Sequence, residues 1–177
     1  MKSPFTNTIL VICLAYLVNA CNTATPEKYF DVAVLNVNMI DGFSDDALLR
    51  ELRSPSATLL EGTKDQTRSR KRTEVIVDKV SYVGENLESI KNLTETADTK
   101  EMIQASLSLH EFVLPVYKTE FTQLAKLYDN SAPASEIDAL IKTIMDKYSA
   151  GYVERLNKVI STGKKYASEH NIKVNWH

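Results

Sequence analysis

Turn-making residues are scarce in this chain, with five glycines and five prolines in 177 residues. So few breakers leave little room for the many turns of a strand-rich fold and favour long helices. Histidine and cysteine are scarcer still. None of the three histidines lies three residues after a glutamate, so the Glu-x-x-His pairs of a carboxylate di-iron bundle are missing. His110-Glu111 and Glu169-His170 are direct neighbours, which point about 100° apart on a helix and make poor joint ligands. With Cys13 and Cys21 the only cysteines, zinc has no support either. Gly-x-Ser-x-Gly and a glycine-rich phosphate loop are both absent. The chain reads as non-enzymatic, with no cofactor and no metal. An excess of one charge is also lacking. Lys+Arg number 21 against 23 Asp+Glu, which is not the strongly basic balance of a nucleic-acid binder.

Among what is present, the apolar run Ile9 to Val18 comes first, with Lys2 before it and Asn19-Ala20 after it. Ten residues suit the apolar part of a secretory leader and fall short of the roughly 20 that span a bilayer. The run closes on Leu17-Val18-Asn19-Ala20-Cys21, which resembles the lipobox at which bacteria lipidate a cysteine and remove what precedes it. Val18 and Ala20 fit the pattern, and Asn19 is a less usual residue there. A conventional secreted protein is the alternative. Cleavage before Cys21 removes Cys13 and Lys2, leaving one cysteine and 20 basic against 23 acidic residues, a net −3. A single thiol cannot form an internal disulfide, whereas acyl chains on Cys21 explain it and hold the protein to a membrane. Asn22, where many inner-membrane lipoproteins carry aspartate, points by resemblance to the outer membrane. The expected organisation is a leader over 1–20, a lipidated tether over 21–25 and one helical domain over 26–177.

Along that domain, Thr25-Pro26 reads as a cap and first helical residue. Tyr29, Ala33, Ile40, Phe43 and Ala47 recur at helical spacing, predicting a helix over 26–52. Asn36 falls on its apolar stripe, either as a register-setting polar core residue or as a ligand contact. Ser54-Pro55 repeats the cap signal and predicts a second helix to about Leu93, with the stripe Ile76, Val80, Val83, Leu87 and Ile90. Between Leu60 and Val75 there is no large apolar residue, so 61–74 is helix or loop. That stretch carries Arg68, Arg70, Lys71 and Arg72. They form either a solvated face or a grip on an anionic glycan or lipid. A third helix from Asp98 or Thr99 to Tyr128 has two apolar stripes and is the most buried, bent at Pro115. A fourth runs from Ser135 to about His170, and the tail folds Ile172, Val174 and Trp176 onto the bundle.

The expected fold is therefore all-α, an antiparallel up-down-up-down four-helix bundle. Met39 and His170 invite comparison with haem bundles. On straight helices, however, Met39 lies about 20 Å along the first and His170 within a turn of the last helix end beside its start. Tyr117, Tyr128, Tyr148, Tyr152 and Tyr166 are numerous, as core rings or as the wall of an apolar ligand groove.

The order of these features resembles a family of small bacterial surface lipoproteins of unknown function. It rests on the Cys21 leader, Tyr29 opening the first helix, the Leu109-His110-Glu111-Phe112 helix, and the ending Lys165-Tyr166-Ala167-Ser168-Glu169-His170-Asn171-Ile172. The resemblance implies a helical bundle in the envelope and carries no residue-level function. The leading expectation is a membrane-anchored module that binds an envelope or host-side partner. A small apolar-ligand carrier is the alternative, and a haem- or metal-binding bundle comes third.

Overall fold

The computed structural model describes residues 24–40 and 42–176, so the leader, the lipidation candidate Cys21 and most of the tether lie outside the described residues. The described chain is mostly helical, with one small hairpin.

The first helix, α1 (Pro26–Ala33), starts as its sequence dictates. Thr25 is the cap, its hydroxyl oxygen accepting from the Lys28 N–H at 3.3 Å, and Pro26 opens the helix. It buries Tyr29, Phe30, Val32 and Ala33. The expected helix over 26–52 then breaks. A 3-10 segment covers Leu35–Ile40, and a second helix, α2 (Asp46–Arg53), begins after a turn. Two asparagines and two valines in 34–38 make weak helix. Gly42 then takes φ +87°, which a helix cannot absorb. Asp45 restarts the helix by accepting from the Ala47 N–H at 2.6 Å. Burial survives the break: Ile40 and Phe43 are core, but Leu48, Leu49 and Leu52 replace the exposed Ala47.

Ser54-Pro55 does not start a helix. Ser54 ends α2, its N–H donating to the Arg50 carbonyl, and Pro55 leads into an antiparallel hairpin of β1 (Ala57–Leu59) and β2 (Thr67–Ser69). With no large apolar side chain from 61 to 74, a helix there has nothing to bury. Gly62, at φ +78°, turns the chain instead. Helix α3 (Arg72–Lys91) follows and buries Ile76, Val83, Leu87 and Ile90 of the expected stripe.

Helix α4 (Lys100–Val116) passes through a π-helical turn (Tyr117–Phe121) into α5 (Thr122–Asp129). Pro115 cannot donate to the preceding turn, and the extra residue per turn follows directly after it. Apart from the half-buried Leu107, both expected stripes are buried, from Met102 and Ile103 to Phe121 and Leu124, so this is the central element. Helix α6 (Ala134–Glu169) runs uninterrupted, and Ile172 N–H closes its end on the Ala167 carbonyl at 2.8 Å.

Contacts between helices fix their directions. Asp129 at the end of α5 meets Arg72 and Thr73 at the start of α3. Lys165 and His170 at the end of α6 face Glu101 and Asp98 at the start of α4. Helices α3, α4–α5 and α6 are thus successive antiparallel neighbours, and α1 contacts α3, α4 and α6. An aromatic cluster joins the broken segment to this body: the Phe43 ring stacks on Tyr152 at 4.9 Å and meets Tyr117 and Phe121 edge-on.

Candidate functional site

Two surfaces carry the candidates expected from the sequence: a basic end around the hairpin, and a groove along α6. The start of α1 and the hairpin lie at different ends of the body. Tyr29 donates to the Thr94 carbonyl at 2.9 Å, beside the His170–Asp98 pair. Burial and the charge of Asp98 push the nearby Tyr166 hydroxyl up to about 12. The hairpin instead sits by the α5–α6 turn and the start of α3.

The four basic candidates meet at this far end, but three are already paired. Arg68 makes two bonds to Glu74, at 2.6 and 2.9 Å, and these bonds hold the Glu74 carboxyl down at about 2. Arg70 pairs with Asp78. Arg72 Nη1 lies 3.9 Å from Asp129, while its Nε donates to the Leu52 carbonyl at 3.1 Å, near the end of α2. Lys71 caps α3 by position, its N–H donating to Glu74 at 2.9 Å. The arginines therefore fasten the hairpin and α2 to α3. Lys64, Lys71, Lys126 and Arg53 make no ion pair among the described residues. A polar cleft of about 410 Å³ lies between Arg70, Lys71, Arg72, Lys126 and Asp129.

Asp129 organises this end, although its place in the sequence reads only as part of a turn. Its carboxylate accepts from the N–H groups of Arg72 and Thr73, at 2.8 and 3.0 Å, and from the Thr73 hydroxyl at 2.9 Å. Burial pushes its pKa up, but these bonds and the Arg72 charge outweigh that and leave it below the usual carboxylate range. It caps a helix 57 residues away in sequence, so no local pattern announces it. The hairpin itself is exposed along nearly its whole length, with Leu59 58% accessible.

Asn36 is half-buried on the 3-10 segment, away from the basic end. Met39 is on the same segment, its carbonyl accepting from Lys79 Nζ at 3.3 Å, while the His170 ring faces Asp98 at 3.1 Å. The two are not brought together.

The second surface is a groove of about 490 Å³ between the 3-10 segment, α6 and the C-terminal tail. Val34, Leu35 and Val37 form one wall, with Leu156, Val159 and Ile160 opposite, and Val174 and Trp176 along the rim. Its two ends are closed differently. At one, Tyr152 donates to the Ile40 carbonyl at 3.1 Å, beside Asn38. At the other, Gly163 lets Val34 pack so close that a Cβ there would lie 2.9 Å from both Val34 methyls. Trp176 packs edge-on to Phe30, with centroids 5.9 Å apart, and keeps 37% of its surface accessible. Of the five tyrosines considered for a groove wall, Tyr152 alone lines this one, while Tyr117 and Tyr166 are core.

His110 is fully buried in α4. Its Nδ1 bonds the Ser106 carbonyl at 2.8 Å, and its Nε2 has no partner among the described residues. Burial lowers its pKa, against the opposing effect of the Ser106 bond.

No grouping of three or more His, Cys, Asp or Glu suited to a metal ion occurs among the described residues, and no described helix is long and apolar enough to cross a membrane. No family model matches the sequence, and neither the curated proteins nor the solved structures provide a match.

Proposed function

We propose that this chain is a non-enzymatic bacterial lipoprotein, anchored through lipid on Cys21, whose helical domain binds another component of the cell envelope or of a host surface. In this reading the broken run from α1 to α2 stands in for the first helix of an up-down-up-down bundle. The outer membrane is the expected address, following Asn22.

The observation that carries the partner-binding reading is the hairpin. Its strands are exposed and attached by ion pairs rather than by a core, so it contributes little burial to the fold. It lies at the end away from Ala24, and so away from an anchor at Cys21. A photocrosslinking residue at Leu59 in intact cells, read by mass spectrometry, tests this. One dominant adduct, not formed when the crosslinking residue is placed instead at the exposed Lys142 of α6, supports it. Adducts scattered over abundant proteins contradict it.

A second reading, that of a small apolar-ligand carrier, is favoured by the groove along α6. Its volume falls within the roughly 300–1,000 Å³ of small-molecule sites, and its walls are mainly aliphatic.

A further inference from the structure

The groove also limits which ligand it suits. Its floor follows α6 from Tyr152 to Ile160, eight residues or about 12 Å at the rise of an α-helix. Along that floor stand Leu156, Val159 and Ile160, which offer neither donor nor acceptor. A planar polar ligand needs hydrogen-bond partners along its length, whereas an unbranched alkyl chain needs none. The polar side chains, Asn38 and Asn175, belong to the walls contributed by the 3-10 segment and the tail.

No charged side chain lines the groove, but one cation stands beside it. Lys164 follows Gly163 directly, is exposed, and holds its ammonium 5.4 Å from the centroid of the Trp176 ring. It has no ion pair among the described residues. An anionic group at the rim by Trp176 meets this charge without leaving water, while the attached chain lies along α6.

We propose that the groove binds a single-chain anionic amphiphile, with its alkyl chain along Leu156, Val159 and Ile160 and its head group at Lys164. This rests on the carrier reading and adds the ligand class and orientation to it. A free fatty acid and a lysophospholipid share this chemistry.

Trp176 is the sole tryptophan of the chain, so its emission reports on the rim of the groove. The test uses the full chain carrying Cys21→Ser, which attaches no lipid of its own, titrated below micelle formation with a dibrominated fatty acid. The matching brominated alcohol and an anionic brominated lysophospholipid are run in parallel. Saturable quenching by the acid is expected, with Lys164→Gln weakening acid binding about fivefold and leaving the alcohol unchanged. Ile160→Phe, which fills the groove, should weaken both by tenfold or more, with circular dichroism confirming that the variant is folded. Whichever of acid and lysophospholipid binds more tightly identifies the source of the chain, and either result supports the site. Equal quenching by acid and alcohol that ignores Lys164→Gln overturns the head-group assignment while the carrier reading stands. No quenching by any probe overturns both. Quenching unchanged in a folded Ile160→Phe protein places the probe elsewhere and overturns the site.

Discussion

The hairpin end and the α6 groove differ in how their side chains are engaged. At the hairpin end, the conspicuous charges are spent within the fold: Arg68, Arg70 and Arg72 each face a carboxylate. Along the groove, apolar surface that could have been covered is left open beside Trp176 and Leu35. A basic run in the sequence thus marks an internal fastening, and the more ligand-like surface arises where three separate segments meet. Fastening by exposed ion pairs is weak and screened by salt, whereas close packing is neither.

The largest effect should come from the packed side. Gly163→Leu forces a side chain into the space taken by the Val34 methyls and should push α1 off α6. A loss of about 3 kcal/mol is expected in urea unfolding, at the upper end for overpacking. Little change would mean that α1 is not held there.

Next in size is Asp129→Ala, which uncaps α3. Removing a carboxylate that serves two backbone N–H groups should cost about 2 kcal/mol. The pH dependence has a definite sign. Because the folded pKa of Asp129 is lowered, its contribution is full above the ordinary carboxylate pKa near 4 and is lost as pH falls through the folded value. Asp129→Ala should therefore narrow the gap to wild type in acid.

His110 should produce a smaller effect. Its folded pKa lies below the ordinary value near 6.5, so the unfolded chain takes the proton first as pH falls. Stability should drop below about pH 6.5, by at most about 1.4 kcal/mol per pH unit, until the folded pKa is reached. Unfolding midpoints from pH 7.5 to 5 check this. His110→Leu should flatten the slope in that window.

The smallest change in global stability is expected from Arg68→Gln with Arg70→Gln. The unfolding midpoint should hardly move, yet amide exchange within 57–69 should quicken, and 1 M salt should do the same to wild type. Exchange quickening equally along α6 would contradict the contrast between the two surfaces.

The helices are legible in the sequence where burial is continuous. The stripes of α4 and α6 sit on long segments that bury one face along their length, so periodicity and turns agree. Neither start carries a side-chain cap, however, and α6 begins at Ala134 behind Pro133 rather than at a Ser135 cap. Periodicity misleads over 26–52, because Ile40 and Phe43 are buried by a bent chain as fully as by a straight helix. Gly42 and Asp45 are the local signs of that bend. Ser54-Pro55 is ambiguous for a related reason: the pair opens a helix only where apolar residues follow for it to bury. Neither Asp129 as a cap nor the groove is legible in detail. Each depends on residues distant in sequence, and Gly163 acquires meaning only from Val34 opposite it.

Which surface faces outward depends on the anchor. Thr25 caps α1 directly, so a lipid on Cys21 leaves only a few residues, at most about 3.5 Å each, between membrane and bundle. The proposed function thus hangs on one modification, and the mass of the N-terminal peptide from native cells tests it most directly. The account predicts a chain beginning at Cys21 and carrying acyl groups, with residues 1–20 absent. An unmodified Cys21, or a leader still attached, would contradict it.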